Sequence, residues 1–305
     1  MNYTLHQLKI FLTVARLKSI TNASKELYLT QPAVSIQLKK FQDQFDIPLT
    51  EVLGRQLYLT DFGEEVVGIS EKILGEAEVL KSITSKYKGL LTGKVNISIV
   101  STAKYVMPYF IKGFMEKYPD IEMNIDVTNR KKVLNSLKKN QTDFALVSVL
   151  PDDMLLEKIE LMDNYLFLVG PEVKDQKKFE FNTSLLLYRE EGSATRKAMI
   201  DYLSSAEVSL NKKIKLESNE AIKQSILAGL GYSIMPIIGL KNELLNRTMK
   251  IISVKNLPII TKWNLVYNKG RKLSPAALAF IDHIQSNKER VIEEEFSWQK
   301  NVLPL

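Results

Sequence analysis

Residues 61–90 contain no proline, and Val66, Ile69, Ile73, Ala77, Leu80, Ile83 and Tyr87 recur at intervals of three or four. That spacing predicts one helix of roughly 28 residues with a single apolar seam flanked by Glu and Lys. A helix this long with a seam this narrow pairs with another helix. Val66, Ile69, Ile73, Leu80 and Tyr87 are therefore candidates for that helix–helix contact. The helix ends near Gly89 and Gly93, which read as a linker. The periodicity of the 305-residue chain differs on its two sides. At roughly 100–200 residues per domain, the length fits two or three domains.

Residues 1–60 read as a small helical unit with a β tail. Leu5, Leu8, Phe11, Leu12 and Ala15 follow helical spacing. A short second helix is predicted over 22–27, with Thr21 as N-cap and Ala23 and Leu27 on its inner face. Thr30 is a good N-cap for a third helix, and Pro32 is tolerated in its first turn. This third helix is predicted to reach about Phe45. Its apolar stripe is Val34, Leu38, Phe41 and Phe45, and Gln31, Ser35, Lys39 and Gln42 fall on the other side. Residues 53–60 suit a short hairpin with Gly54-Arg55 at its tip.

From Val95 onward, strands alternate with helices, which implies a parallel sheet. Strands are predicted at 95–100, 121–127, 143–147, 165–169, 185–188, 214–217, 232–235 and 263–267. Helices are predicted at 106–118, 131–139, 195–203, 220–228 and 275–284. The pattern looks like two similar lobes with a return strand.

Composition narrows the chemistry. There are no cysteines, so no disulfide, thiolate zinc site or cysteine nucleophile exists, and the two histidines, His6 and His283, are far apart. No metal or cofactor is expected. The N-terminus has polar residues inside its apolar stretch, unlike a signal peptide, and no apolar run reaches membrane-spanning length. A soluble cytoplasmic protein is expected, with no membrane partner. The net charge of +7 hints at a polyanionic partner. That excess is spread along the chain, residues 1–60 holding 7 Lys/Arg and 4 Asp/Glu, so a nucleic-acid reading must rest on pattern.

Residues 21–45 supply that pattern: a short helix, a tight turn and a second helix with a polar face free for the major groove. Gln31 can offer an amide to adenine, Ser35 can meet a base edge or phosphate, and Lys39 can neutralise a phosphate. The competing reading is a small bundle whose polar face is merely solvated.

The residues themselves resemble a known family. Leu5-His6-Gln7-Leu8-Lys9-Ile10-Phe11-Leu12, the run from Ala23 to Leu38 containing Gln31-Pro32-Ala33-Val34-Ser35, and Leu59-Thr60-Asp61-Phe62-Gly63 look like the DNA-binding domain of LysR-type transcriptional regulators. The resemblance covers the whole chain. It implies a winged helix–turn–helix over 1–60, a dimerising linker helix over 61–90 and an effector-binding domain over 91–305. That last domain would have a two-lobed, periplasmic-binding-protein-like α/β fold, with lobe I at about 91–162 and 268–305 and lobe II at about 163–267. The recognition positions fall on Thr30, Gln31, Pro32, Ser35, Ile36 and Lys39, with Arg55 as the wing residue near the minor groove. Where the family often has Leu-Phe-x-Arg, this chain has Leu49-Thr50-Glu51-Val52, which puts one backbone contact in doubt. The resemblance implies promoter DNA and a second copy of the chain as partners, assembly to a dimer or tetramer, and RNA polymerase as a further partner.

In two-lobed α/β domains, ligands sit at the carboxyl ends of strands, where helix N-termini attract anions. Ser101-Thr102 follows the first strand and opens a helix. Thr128-Asn129 follows the second strand and Ser148 the third. In the other lobe, Ser193, Thr195 and Arg196 follow a strand and open a helix. Arg196 is suited to a carboxylate or phosphate, though it equally suits a surface ion pair, and each hydroxyl equally suits a plain N-cap. Within this family, these turns point to a small anionic metabolite. Arg189-Glu190-Glu191-Gly192-Ser193-Ala194-Thr195-Arg196, Ser218-Asn219-Glu220-Ala221-Ile222-Lys223 and Lys269-Gly270-Arg271-Lys272-Leu273-Ser274-Pro275 are similar to regulators of carbon fixation and of sulfur assimilation.

The rival classes are weaker. A solute-binding protein has no use for the N-terminal 90 residues. A dinucleotide fold is opposed at Gly229-Leu230-Gly231, which lacks the third glycine and precedes a strand. A hydrolase built on Ser233 and His283 lacks a carboxylate partner and a closing glycine.

Overall fold

The computed structural model describes residues 2–53, 56–87, 91–172, 179–207 and 212–303, with backbone alone at 53, 78 and 81–87. They form two compact units, Met1–Gly93 and Lys94–Leu305.

In the first unit, helix α1 (Leu5–Leu17) opens with a reciprocal cap. The Gln7 N–H donates to the Thr4 hydroxyl, and the Thr4 N–H donates to the Gln7 side chain. Helix α2 (Ile20–Glu26) begins two residues earlier than its sequence predicts. Ser19, not Thr21, is the N-cap and accepts from the Asn22 N–H at 3.2 Å. Thr21 lies inside the helix, and its carbonyl accepts from the Ser24 hydroxyl. Helix α3 (Gln31–Gln42) is capped by Thr30 and stops before Phe45. Phe45 owes its helix-like spacing to ring packing instead: it lies edge-on to Phe41 at 5.2 Å and to Phe62 at 5.8 Å.

Strands β1 (Thr50–Leu53) and β2 (Gln56–Leu59) pair antiparallel. The first strand begins three residues before the predicted hairpin, whose tip at Gly54-Arg55 lies outside the described residues. Helix α4 (Asp61–Tyr87) follows directly. Its first turn is locked to the hairpin, since the Thr60 hydroxyl donates to the Pro48 carbonyl at 2.7 Å and accepts from the Gly63 N–H. A Cβ at position 63 would stand 2.0 Å from the Leu49 carbonyl oxygen, so only glycine permits this approach. Leu8, Phe11, Val14, Ala23, Val34, Leu38 and Phe41 form the core.

The second unit runs β3 (Gly93–Val100), α5 (Met107–Lys117), β4 (Ile121–Thr128), α6 (Arg130–Lys138), β5 (Phe144–Val147), β6 (Leu156–Pro171), β7 (Leu186–Arg189), α7 (Ala194–Ser205), β8 (Lys213–Leu216), α8 (Asn219–Leu227), β9 (Ser233–Pro236), α9 (Lys241–Leu245), β10 (Met249–Ile251), β11 (Ile259–Asn268) and α10 (Pro275–Phe296). The main sheet has the order β10-β6-β11-β5-β3-β4, with β9 also on β6. Strands β3 and β5 are parallel, as the alternating pattern implies. Strands β6 and β11 depart from that pattern. Strand β6 has 16 residues instead of the five predicted and pairs antiparallel with β11, which is itself antiparallel to β5. Glu157, Lys158, Glu160 and Asp163 break its apolar run, which hid the first half of the strand.

The two long strands join the lobes. The first half of β6 pairs with β11 beside β5, and its second half pairs with β9 and β10. The parallel pair β7-β8 attaches to the second lobe through the bridge of Leu186 to Tyr232. A lobe boundary at 267 would cut β11 from β5, its partner at Asn264–Val266, so β6 and β11 each run through both lobes. The chain end also crosses over. Phe296 stacks on Phe110 of α5, while Val302 and Leu303 pack on the second-lobe cluster of Phe167, Ile222 and Met235.

Candidate functional site: an exposed helix face and an interlobe cleft

On α3, Val34, Leu38 and Phe41 are buried, so the opposite face carries Gln31, Pro32, Ser35, Ile36 and Lys39 into solvent. Thr30 holds the start of this face through the Ala33 N–H. Gln37 is engaged inward, accepting from the Gln7 amide at 3.2 Å. Among the described residues, the side chains of Gln31, Ser35 and Lys39 have no hydrogen-bond or ion-pair partner. Three polar groups without partners on one face, beside an Ile36 that is 53% exposed, make a surface suited to base edges and phosphates. Arg55 lies outside the described residues.

The seam of α4 is divided. Val66 and Ile73 pack on the core of their own unit, together with Phe62, Val67 and Leu74. Ile69 and Leu80 are exposed, at 55% and 68%. The side chain of Tyr87 lies outside the described residues.

In the second unit, the turns after β3 and β7 and the first residues of α6 meet in a cleft lined by Ser101, Thr102, Asn129, Arg130, Arg189 and Thr195, among others. Its centre is Arg189, the last residue of β7. With a relative exposure of 2%, it is the one charged residue among the buried side chains that are described. Its Nε donates to Glu190 Oε2 at 2.7 Å, and its Nη2 donates to Glu190 Oε1 at 2.8 Å and to Ser101 Oγ at 3.0 Å. Nη1 donates to the Asn219 side-chain carbonyl. Arg189 thus links the turn after β3 in one lobe to the start of α8 in the other.

Thr102, Ser193 and Thr195 are buried around it. Ser193 caps α7 through the Arg196 N–H, and Asn129 caps α6 through the Lys132 N–H. Arg130 adds a second cation, fixed by the carbonyls of Val149 and Leu150 at 3.1 Å each.

Several expected residues fall elsewhere. Ser101-Thr102 does not open an α-helix directly. A 3₁₀ turn, Ala103–Tyr105, intervenes, and the Thr102 side chain makes no cap. Thr128 and Ser148 are half-buried at the strand ends and do not line the cleft. The guanidinium of Arg196 turns the other way. It donates to the Arg189 carbonyl at 3.2 Å, lies 3.5 Å from Glu191, and borders two cavities of about 560 and 570 Å³ beside α7. The residues the sequence reading missed are Arg189, Glu190, Asn219 and Arg130. The available signal was a cation ending the apolar strand Leu186-Leu187-Tyr188-Arg189. Burial there pushes the Tyr188 phenol above its ordinary value, partly offset by Arg196.

The hydrolase reading finds no geometry. The Ser233 hydroxyl is buried and donates to the Leu187 carbonyl at 2.7 Å. His283 lies edge-on to Phe114 and contacts Asn287. Among the described residues there is no acidic or histidine cluster able to hold a metal, and no helix long and apolar enough to cross a membrane.

Both units have counterparts among known proteins. Residues 5–64 match the family described as bacterial regulatory helix-turn-helix protein, lysR family, and residues 88–289 match the LysR substrate binding domain. The HTH-type transcriptional activator CmpR of Synechocystis is 32% identical over 95% of this chain and 97% of its own length. The RuBisCO operon transcriptional regulator of Allochromatium vinosum is 33% identical over 95% and 98%. The solved regulatory domain of Synechocystis CcmR, in complex with 2-PG, covers 64% of this chain and 97% of its own. It is 27% identical, with a TM-score of 0.60.

Proposed function

The chain belongs to the LysR family of transcriptional regulators, and from that premise we propose that it is a carbon-fixation-type regulator whose effector is a small phosphorylated carboxylate held in the interlobe cleft. The family makes it a DNA-binding regulator with an effector domain, related to activators and regulators and not to enzymes. The particular effector rests on one observation: a buried guanidinium, Arg189, that donates to the Ser101 hydroxyl in a cleft also lined by Thr102, Ser193 and Thr195. Such a set holds an anion through charge-assisted hydrogen bonds, and the carboxylate beside it, Glu190, is already engaged by Arg189. The 2-PG (2-phosphoglycolate) bound by the CcmR regulatory domain is an anion of this class.

In this reading, Gln31, Ser35 and Lys39 meet promoter DNA, Arg55 reaches the minor groove, and α4 pairs two copies through the side of the seam that carries Ile69. Pairs of dimers form a tetramer, which works in the cytoplasm and contacts RNA polymerase. The effector acts by binding two arrangements of the lobes with different affinity.

Calorimetry on the full-length protein with 2-phosphoglycolate, orthophosphate and sulfate tests the effector class, and footprints with and without the bound anion test its consequence. Saturable binding of a phosphorylated anion and an altered footprint are expected. Tight binding of a neutral or cationic metabolite, with no response to these anions, would sink the reading.

A further inference from the structure

Glu190 holds the site that an anionic effector needs. Its two carboxylate oxygens take the Nε and Nη2 donors of Arg189 in a bidentate fork, at 2.7 and 2.8 Å. This is the arrangement an arginine offers to an incoming carboxylate or phosphate. Arg189 is almost completely enclosed, so an anion reaches it only through the cleft. The free space left there is about 10 Å³, at the lower limit of what a single water requires. As it stands, that space does not admit an effector's anionic group, and Glu190 occupies the Arg189 donors that such a group would take.

We propose that Glu190 is a built-in surrogate for the effector: binding exchanges its carboxylate for the ligand's anionic group on Arg189. The proposal rests on the reading that the cleft takes an anion. Three features favour exchange over a fixed structural pair. Glu190 is not sealed in, because its side chain is 18% exposed against 2% for Arg189, so one partner has a way out and the other does not. It sits on the turn that ends in Gly192, whose φ of +84° is a conformation glycine adopts without strain. Arg189 also does not depend on Glu190 for its position, since Asn219 and Ser101 hold it from the two lobes. Asn219 Nδ2 adds a buried donor with no hydrogen-bond partner.

The exchange sets both affinity and selectivity. The observed affinity is the intrinsic one reduced by the fraction of molecules in which Glu190 has left. An incoming group must replace two hydrogen bonds at once, so a planar carboxylate or a phosphate succeeds where a spherical halide does not. Arg130 on the same wall keeps the site cationic after the exchange.

The test is calorimetry and thermal unfolding of the full chain with 2-phosphoglycolate and orthophosphate, comparing wild type, Glu190→Gln, Glu190→Ala and Arg189→Gln. Removing the internal carboxylate should tighten anion binding by about tenfold or more. Both Glu190 variants should melt lower than wild type without ligand, and both should gain more from saturation. A residue that only supports the turn would lower the melting point without tightening binding. Unchanged or weaker binding in either Glu190 variant, with Arg189→Gln abolishing it, overturns the exchange and leaves the cleft reading standing. Equal binding by wild type and Arg189→Gln instead places the anion outside the cleft and removes both.

Discussion

The outer face of α3 and the interlobe cleft are both suited to anions, and they are built in opposite ways. On α3 the polar groups are exposed, have no partners and stand on one regular helix. In the cleft the cation is buried, already paired, and held by residues 88 and 30 positions away in sequence. An exposed face binds by adding separable interactions, each screened by salt. A buried, pre-oriented arginine binds all or nothing, because its desolvation is already met within the fold. The first kind of site is written into one short segment, whereas the second exists only after the sheet has formed.

The largest effect that separates the two is expected at Arg189. Arg189→Gln removes the side-chain hydrogen bonds that tie Ser101 to Asn219 and releases Glu190, and should cost about 1–3 kcal/mol of stability. Anion affinity should fall by about 100-fold or more, while affinity for non-specific DNA should be unchanged. Calorimetry, urea unfolding and a DNA-binding titration measure the three quantities. Anion binding that survives the substitution would break the comparison, because the cleft would then not be an anion site.

On α3 the expected response is graded. Gln31→Ala with Ser35→Ala should cost about 1–3 kcal/mol for each base-edge hydrogen bond removed and should spare non-specific binding. Lys39→Ala should weaken both and lower the salt slope by about one unit for one phosphate. A promoter footprint that is unchanged in the double variant would move the recognition surface elsewhere.

Helix α4 sharpens the contrast inside the first unit. Ile73 is packed on its own core and Ile69 is exposed, although both lie on one seam of the sequence. Ile73→Glu puts a carboxylate against apolar neighbours and should cost about 2 kcal/mol of stability. Ile69→Glu should leave the stability of the fold within about 0.5 kcal/mol and still shift the protein toward monomer in sedimentation. A dimer that persists in Ile69→Glu would place the pairing surface off this face.

How far the sequence could be read follows the same division. Local chemistry fixed α3 through Thr30 and Pro32, and the apolar spacing fixed α4 to within a few residues. The same spacing could not separate Val66 and Ile73, which face inward, from Ile69, because a three–four repeat records apolarity and not its partner. Strand β6 was half hidden, since its charged first half pairs with β11, about a hundred residues later. The hydroxyls of the cleft were legible as strand-to-helix turns. Arg189 was not, because a cation ending a strand gains its meaning from Ser101 and Asn219, which only the tertiary fold delivers.

Arg196 carries the smallest expected effect and the most direct test of that last point. Sequence position makes it the natural anion ligand, on the first turn of α7 beside Ser193 and Thr195. In the fold, its guanidinium caps the Arg189 carbonyl and meets Glu191 at 3.5 Å, where Glu191 is 87% exposed. An ion pair that open is worth about 0–1 kcal/mol, and the carbonyl hydrogen bond adds about 1 kcal/mol. Arg196→Ala should therefore cost about 1–2 kcal/mol of stability in total. Because Arg189 keeps its side-chain hydrogen bonds to Ser101, Asn219 and Glu190, anion affinity should change by less than about threefold. A drop as large as that of Arg189→Gln would mean that the anion sits in the cavities beside α7, where Arg196 and Ile200 form the wall. The sequence would then have pointed to the right arginine and the buried one would be structural.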